Sequence, residues 1–430
     1  MDKKLRRIAI DLTPILPGGE NGGAKLMTLE LIRNLSRLAP ECEFLLLTMG
    51  QNHEELACLD THNVRRLLIQ SILKKDSRIR RNWCLMPSIF PVPIRIRMKY
   101  FISLIFRKLS TESLLRQLNV DLLFCPFTAP FYACPEIPFV SVIYDLQHKT
   151  YPQFFSPEEC VHREKNFSNA CLGAERIICI SDYVRSTVIN NGQSSAEHVH
   201  TVYIRLASRI QKQVNSKKQQ WIRDLGLELG TFLLFPANMW PHKNHQMLLT
   251  AFGMYLARNR KTNLKLVFTG SSCPWMEYLK NAAKRMSLSQ HVVFAKYLTN
   301  EEFEGIIHGC KAVIFPSLYE GFGMPVIEAM ALGKPILCSN ITSLPEIAKE
   351  AALYFDPKRP QTIVDAIKTL ETKETLIKQL VKQGQQHAAQ FSDAMRMAHE
   401  YWEIFQKAII SKRNIKRVFL KKRNCQNSDF

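Results

Sequence analysis

No run of roughly 18 uncharged apolar residues occurs anywhere in the 430 residues, so no segment reads as spanning a bilayer. The first residues, Met1 to Arg7, are mostly charged and lead straight into a strand pattern. With no apolar region long enough for a secretory signal, the expected location is the cytoplasm. Paired C-x-x-C spacing is missing as well. The 12 cysteines are scattered, which argues against a zinc ribbon or a disulfide framework. Cys125, Cys179 and Cys338 fall in apolar runs and read as reduced, buried thiols. There is no G-x-G-x-x-G, hence no basis for a dinucleotide site. RRM, KH and helix-turn-helix patterns are also absent, so a nucleic-acid-binding protein is the weaker alternative despite the basic composition.

Acidic residues are scarce: 38 Asp and Glu face 58 Lys and Arg, a net charge of +20. Two segments hold most of the excess. Lys74–Lys108 carries ten basic residues against Asp76 alone, and the tail after Gln406 carries eight against Asp429. The first segment interleaves its cations with Trp83, Phe90, Tyr100, Phe101 and Phe106. That mixture suits an anionic membrane surface better than a phosphate backbone, and predicts a peripheral place on the inner leaflet of the cytoplasmic membrane. An ordinary helix packing its apolar side on the domain accounts for the apolar half equally well.

What is present is the composition of a globular protein, 46% hydrophobic and 22% charged, at a length that favours two cores over one. Short apolar runs alternate with helical periodicity twice over, which predicts two α/β units with parallel sheets. Strands are expected at Ile8–Leu12, Phe44–Thr48, Leu67–Gln70, Asp121–Cys125, Phe139–Tyr144, Arg176–Ile180 and Val199–Ile204. The second set is Phe232–Phe235, Leu264–Thr269, Val292–Phe294, Ala312–Phe315, Ile336–Cys338 and Ala352–Tyr354. Leu26, Leu29, Ile32 and Leu35 form a stripe for packing a helix on the first sheet. The boundary is expected near Leu206–Asn215, with domains over 1–206 and 207–390 and a helix and basic tail over 391–430.

One segment carries most of the chemistry. Ala312–Phe315 is a buried strand, followed by a turn with Glu320, Gly321 and Gly323, and then a helix opened by Pro325 that carries Glu328. The glycines allow close approach of a ligand and backbone conformations that a Cβ would forbid. Pro325 suits a first helical turn. The helix N-terminus offers N–H groups and a positive dipole end to an anion. The two carboxylates are poor phosphate ligands but good acceptors for sugar hydroxyls. Together these predict a nucleotide-sugar site.

The same segment resembles the retaining GT-B glycosyltransferases of family 4, marked by two glutamates with seven residues between them around a G-F-G-x-P turn. Glu320, Gly321, Phe322, Gly323, Pro325, Glu328, Ala329, Gly333 and Pro335 stand in the family's order, and Ser339–Glu346 fits as well. The resemblance is specific from Leu233 to Asp356, looser from Ile8 to Arg205 and poorest over Lys74–Leu109. It implies two Rossmann-like domains facing a cleft, with the C-terminal helix crossing back to the N-terminal domain. It also implies transfer of a mannosyl, glucosyl or N-acetylglucosaminyl group, with retention, to a glycan or lipid-linked acceptor, as in lipopolysaccharide and other polysaccharide biosynthesis.

The resemblance gives residues their expected roles. Glu320 would hold donor-sugar hydroxyls, Glu328 the ribose and Lys243 the leaving phosphate. The turn Gly321, Phe322, Gly323, Met324 and Pro325 would receive donor oxygens, and Gly22 and Gly23 would face the diphosphate. Asn238 stands where the family has an arginine, a departure that removes a charge; His242 or a cation of the N-terminal domain is a candidate replacement. Asp145 matches a family aspartate, but Tyr144 occupies the position of the preceding histidine, with His148 three residues on. Ser181 and Tyr203 also follow strands but carry no distinguishing pattern. No nucleophile, cofactor or metal is implied, since no Asp-x-Asp lies near these positions. The departures at Asn238 and Tyr144 leave a non-catalytic scaffold as the main alternative.

Overall fold

The computed structural model describes residues 5–18, 21–69, 114–205, 221–270, 274–295 and 298–426. The basic segment Lys74–Lys108, the expected boundary Leu206–Asn215 and the tail's side chains beyond Lys412 lie outside the described residues. Two parallel sheets dominate. The first contains β1 (Arg7–Asp11), β2 (Glu43–Thr48), β3 (Val64–Leu68), β4 (Leu122–Cys125), β5 (Phe139–Ile143), β6 (Arg176–Cys179) and β7 (Val199–Thr201), in the order β3-β2-β1-β4-β5-β6-β7. The second contains β8 (Phe232–Pro236), β9 (Lys265–Thr269), β10 (Val292–Phe294), β11 (Ala312–Phe315), β12 (Ile336–Ser339) and β13 (Leu353–Phe355), in the order β10-β9-β8-β11-β12-β13. The interior strands are buried on both faces, which is why they read as unbroken apolar runs: every residue of β4, β5, β8, β11 and β12 is buried.

β3 begins three residues earlier than expected. Arg65 and Arg66 hide its start, because they stand on an edge strand and ion-pair outward with Glu43 and Asp60 at 2.7 and 2.9 Å. The helix Gly22–Leu38 buries Met27, Leu31, Ile32 and Leu35. Leu26 is exposed instead of sheet-facing, because its side of the helix borders the space between the domains.

The expected terminal helix from Phe391 to Lys412 is longer and starts later, spanning Ala394–Gln426. It returns to the first domain. Tyr401 and Phe405 lie 5.8 and 5.1 Å from the Phe124 ring of β4, and Lys412 pairs with Glu175 at 2.8 Å. Arg205, at the end of the first domain, donates to Glu400 of this helix at 2.8 Å. In each sheet the chain leaves the central strand in one direction and then the other. The loops after β1 and β4, and after β8 and β11, therefore diverge and open crevices at the carboxyl ends of the strands. The two crevices face each other.

Candidate active site

Loops following β1, β5, β8 and β11 line one cleft of about 440 Å³ between the domains. Gly22, Gly23, Asp145, Asn238, Lys243, Glu320, Gly321, Phe322, Gly323, Met324, Pro325 and Glu328 all border it. His148 does not. Its ring is buried and its Nε2 lies 3.2 Å from Glu164, on the helix Pro157–Gly173 of the same domain. Burial lowers its proton affinity against the pull of Glu164, and the residue supports the wall from behind.

The loop after β8 is held in a set shape before it presents its lysine. Pro241–Lys243 forms a 3-10 turn closed by Asn244 in the left-handed conformation (φ 64°). The Asn244 amide donates to the carbonyls of Pro316 and Pro357 at 3.1 and 2.8 Å, and Leu318 N–H donates to the His242 carbonyl at 2.7 Å. The β8 and β11 loops are thereby tied together. Lys243 Nζ emerges 2.6 Å from Glu320 Oε1 and 5.4 Å from the centre of the Phe315 ring. With side-chain exposures of 16% and 10%, this pair is largely screened from water. Lys243 is the only Lys or Arg among the described residues that line the cleft.

His242 does not supply the charge missing at Asn238. Burial, followed by the neighbouring Lys243 cation and the nearby His245 and Arg163, pushes its pKa down to about 2. His245 behind it is driven to about 3 by burial and then by Lys243. Both rings are neutral across the physiological range, so the cleft's positive potential is concentrated on Lys243 and the helix end.

That helix, Met324–Ala331, is capped by Gly323 at φ 100°, ψ 53°, a conformation closed to ordinary side chains, with Pro325 in its first turn. Met324, Pro325 and Glu328 border the cleft, so the positive dipole end faces it, and Glu328 is only 2% exposed. Gly23, in the first turn of the helix Gly22–Leu38, faces the Met324 thioether across the space. Asp145 accepts Gln147 N–H at 3.1 Å, which fixes its carboxylate at the lip.

Several residues that complete the site carry no sequence signal of their own. Tyr319, from the second domain, is buried and accepts Leu146 N–H of the first at 3.3 Å, with its ring 5.8 Å from Tyr183. Tyr203 lies 6.3 Å from Phe322. Ser181 donates to the Gly321 carbonyl at 2.7 Å. A Cβ placed on Gly321 would fall 1.9 Å from the Tyr144 carbonyl oxygen, so the domains touch backbone to backbone here. The nine described cysteines are all unbridged, and burial pushes thiols such as Cys42 and Cys310 up to about 12. Among the described residues no three His, Cys, Asp or Glu converge as a metal site, and no helix is long and apolar enough to cross a membrane.

Residues 217–387 match the family described as glycosyl transferases group 1. O-antigen chain mannosyltransferase B of Escherichia coli is 27% identical over 228 residues, which cover 53% of this chain and 58% of that protein. The match thus spans little more than half of that relative's length. Among solved structures, a glycosyltransferase from Rickettsia africae superposes with a TM-score of 0.69 at 14% identity, covering 95% of this chain and 99% of the other. Anabaena HepE, in complex with UDP and glucose, gives 0.68 at 16%, covering 93% and 98%. At such identities the superpositions establish the frame, two Rossmann-like domains closed on a cleft with the last helix crossing back. Residues 217–387 are thus similar to the glycosyl transferases group 1 family, and the chain is built on the GT-B fold.

Proposed function

We propose that this cleft transfers a hexosyl group, most consistently mannosyl, from a nucleoside-diphosphate sugar to a glycan or lipid-linked acceptor of an envelope polysaccharide. The observation that carries the reading is the convergence of Lys243, Glu320, Glu328 and the N-terminus of Met324–Ala331 on one side of a cleft whose other wall holds Gly22 and Gly23. The mannosyltransferase named above supports the choice of sugar, and the UDP complex of HepE supports the donor class. In this reading the sugar C1–phosphate oxygen bond breaks as the bond to the acceptor oxygen forms on the same face. The acceptor proton leaves with the departing diphosphate, so configuration is retained without an enzyme nucleophile. Lys243 and the turn amides stabilise the charge growing on that diphosphate. Asp145 faces the reacting sugar, and Asn238 contributes a hydrogen bond in place of a cation.

Turnover of a panel of GDP-, UDP- and ADP-sugars, with the anomer of the product assigned by proton NMR, tests the proposal. Hydrolysis and transfer both absent for every donor, in a protein that still binds nucleotide, would favour a scaffold. Glu328→Ala should raise the Kd for the matching nucleoside diphosphate about 10- to 150-fold, because a charged hydrogen bond in a nearly buried site is worth ~1.5–3 kcal/mol. Calorimetry on the folded variant decides this, and an unchanged Kd removes the ribose from Glu328.

The site of action is proposed to be an anionic membrane surface, on the charge of Lys74–Lys108 and of the tail. Each Lys or Arg near such a surface contributes ~1 kcal/mol, and the effect fades within a Debye length of about 10 Å or less. Co-sedimentation with phosphatidylglycerol vesicles should be strong at low salt and largely lost near ~0.5 M. Equal binding to neutral vesicles, or none, points to a soluble acceptor.

A further inference from the structure

The helix Asp182–Asn191 of the first domain begins at the surface between the domains, and its opening N–H groups are satisfied in an uncommon way. An α-helix leaves its first four N–H groups without partners of its own. Asp182 N–H donates to Glu346 Oε1 at 2.7 Å and Tyr183 N–H to Glu346 Oε2 at 2.8 Å, so one carboxylate of the opposite domain takes two of the four. Ser181, the N-cap, accepts Val184 N–H on its Oγ at 3.2 Å and Arg185 N–H on its carbonyl at 3.0 Å. The capping of Asp182 and Tyr183 is complete only with both domains in place. Asp182 would repel Glu346, but its carboxylate is tied back by the hydroxyls of Thr201 and Tyr203 at 2.6 and 2.9 Å.

Ser181 reaches the turn that carries Glu320 directly, and Glu346 is joined to it through the residues just before its helix. Ser181 spends its hydroxyl proton on the Gly321 carbonyl at 2.7 Å, and it has no exposed surface. Glu346 stands on the short helix Leu344–Ala348. The residue before that helix, Ser343, directs its hydroxyl at the carbonyls of Glu320 and Phe322, 3.0 and 3.2 Å away. Thr342 Oγ1 accepts Glu320 N–H at 3.3 Å. The turn is therefore gripped from its own domain by Thr342 and Ser343 and from the facing domain by Ser181. Glu346 fastens the two grips together.

We infer that Ser181 and Glu346 are positioning residues that couple closure of the two domains to the shape of the Glu320–Gly323 turn, so that the sugar-facing carboxylate is set only when the cleft is shut. The inference rests on the reading of that turn as the donor site. A negative charge at a helix N-terminus is favourable, and the charge-assisted bonds to Asp182 and Tyr183 are stronger than neutral ones. Yet Asp182 lies at an exposed rim, where water can replace Glu346 on opening. The contact is thus strong enough to bias closure and reversible enough to release it.

Hydrogen exchange of the full chain without any donor tests the coupling directly, in Glu346→Ala, Glu346→Gln and Ser181→Ala. The decisive peptides cover residues 319–323, which Glu346 does not itself touch. Glu346→Ala should speed their exchange about 10- to 150-fold along with that of 182–185, the size expected for loss of a charged hydrogen bond. Glu346→Gln, which keeps one acceptor, should lie between, and Ser181→Ala should act on both regions. Melting temperature and the remaining peptides should stay as in the parent. Faster exchange confined to 182–185 would make Glu346 a simple helix cap and overturn the coupling. Acceleration throughout both domains with a lower melting temperature would make it a folding residue and overturn it too. Since no donor is present, this result is independent of which reaction the cleft performs. Where turnover is found, kcat should fall in Glu346→Ala and recover in large part in Glu346→Gln.

Discussion

Replacing Lys243 with Ala is expected to lower kcat about 100- to 1,000-fold, the range seen when one preorganised donor to a developing negative charge is removed. The expectation is large because the cleft offers few substitutes. Asn238 brings no charge, the His242 ring is held neutral, and no other Lys or Arg among the described residues borders the cleft. In the proposed transfer, charge on the departing diphosphate grows toward the transition state, so the loss should fall on kcat more than on KM. The variant also leaves Glu320 without its 2.6 Å partner at 10% side-chain exposure, which will cost stability. A second variant separates the two effects. Lys243→Ala combined with Glu320→Gln should regain melting temperature without regaining kcat. Near-parental kcat in the single variant, measured with the true donor, would mean that the cleft's charge is not part of its chemistry.

Gly321→Ala should be as damaging for a different reason. The added methyl carbon would meet the Tyr144 carbonyl oxygen at 1.9 Å, and both groups are fixed backbone, so no rotamer relieves the clash. Within its own domain the change is tolerable, because Gly321 has no positive φ. The strain arises only on closure. The domains must separate by an ångström or more, and misplacement on that scale costs on the order of 100-fold in rate. The expected result is an enzyme with two intact domains, a larger radius of gyration in solution scattering, and turnover reduced about 100-fold or more. Parental activity at parental dimensions would show that the two walls need not meet.

How much of this was legible in the chain follows from where the information lies. Strands such as Phe232–Pro236 and Ala312–Phe315 are buried on both faces, so their apolar runs announce them. β3 was placed three residues late because edge-strand arginines look like loop. The Glu320–Glu328 segment could be read because strand, turn and helix are contiguous, and a local pattern encodes local geometry. Lys243 and Glu320 stand 77 residues apart, so their pairing depends on how the β8 and β11 loops are knotted through Asn244 and Leu318. His148 lies close in sequence to the cleft yet points behind it, since the chain after β5 turns into the short helix Gln147–Thr150. Ser181 reads only as a residue after a strand and Glu346 only as the end of a fitting segment, and the contacts of both, like those of Tyr319, could not be found from periodicity. Their partners belong to the other sheet, and relative placement of two sheets leaves no mark within either one.

The returning helix Ala394–Gln426 gives the chain an awkward order of birth. Phe124, at the centre of the first sheet, is fully buried, and its covering rings include Tyr401 and Phe405. During synthesis, roughly 200 further residues follow Arg205 before those rings emerge, a delay on the order of 10–40 s at ordinary elongation rates. For that interval the first domain is a sheet with one apolar flank uncovered, while the second is still being made. A nascent chain in this condition is a natural client for chaperones, and its two halves are obliged to finish folding together.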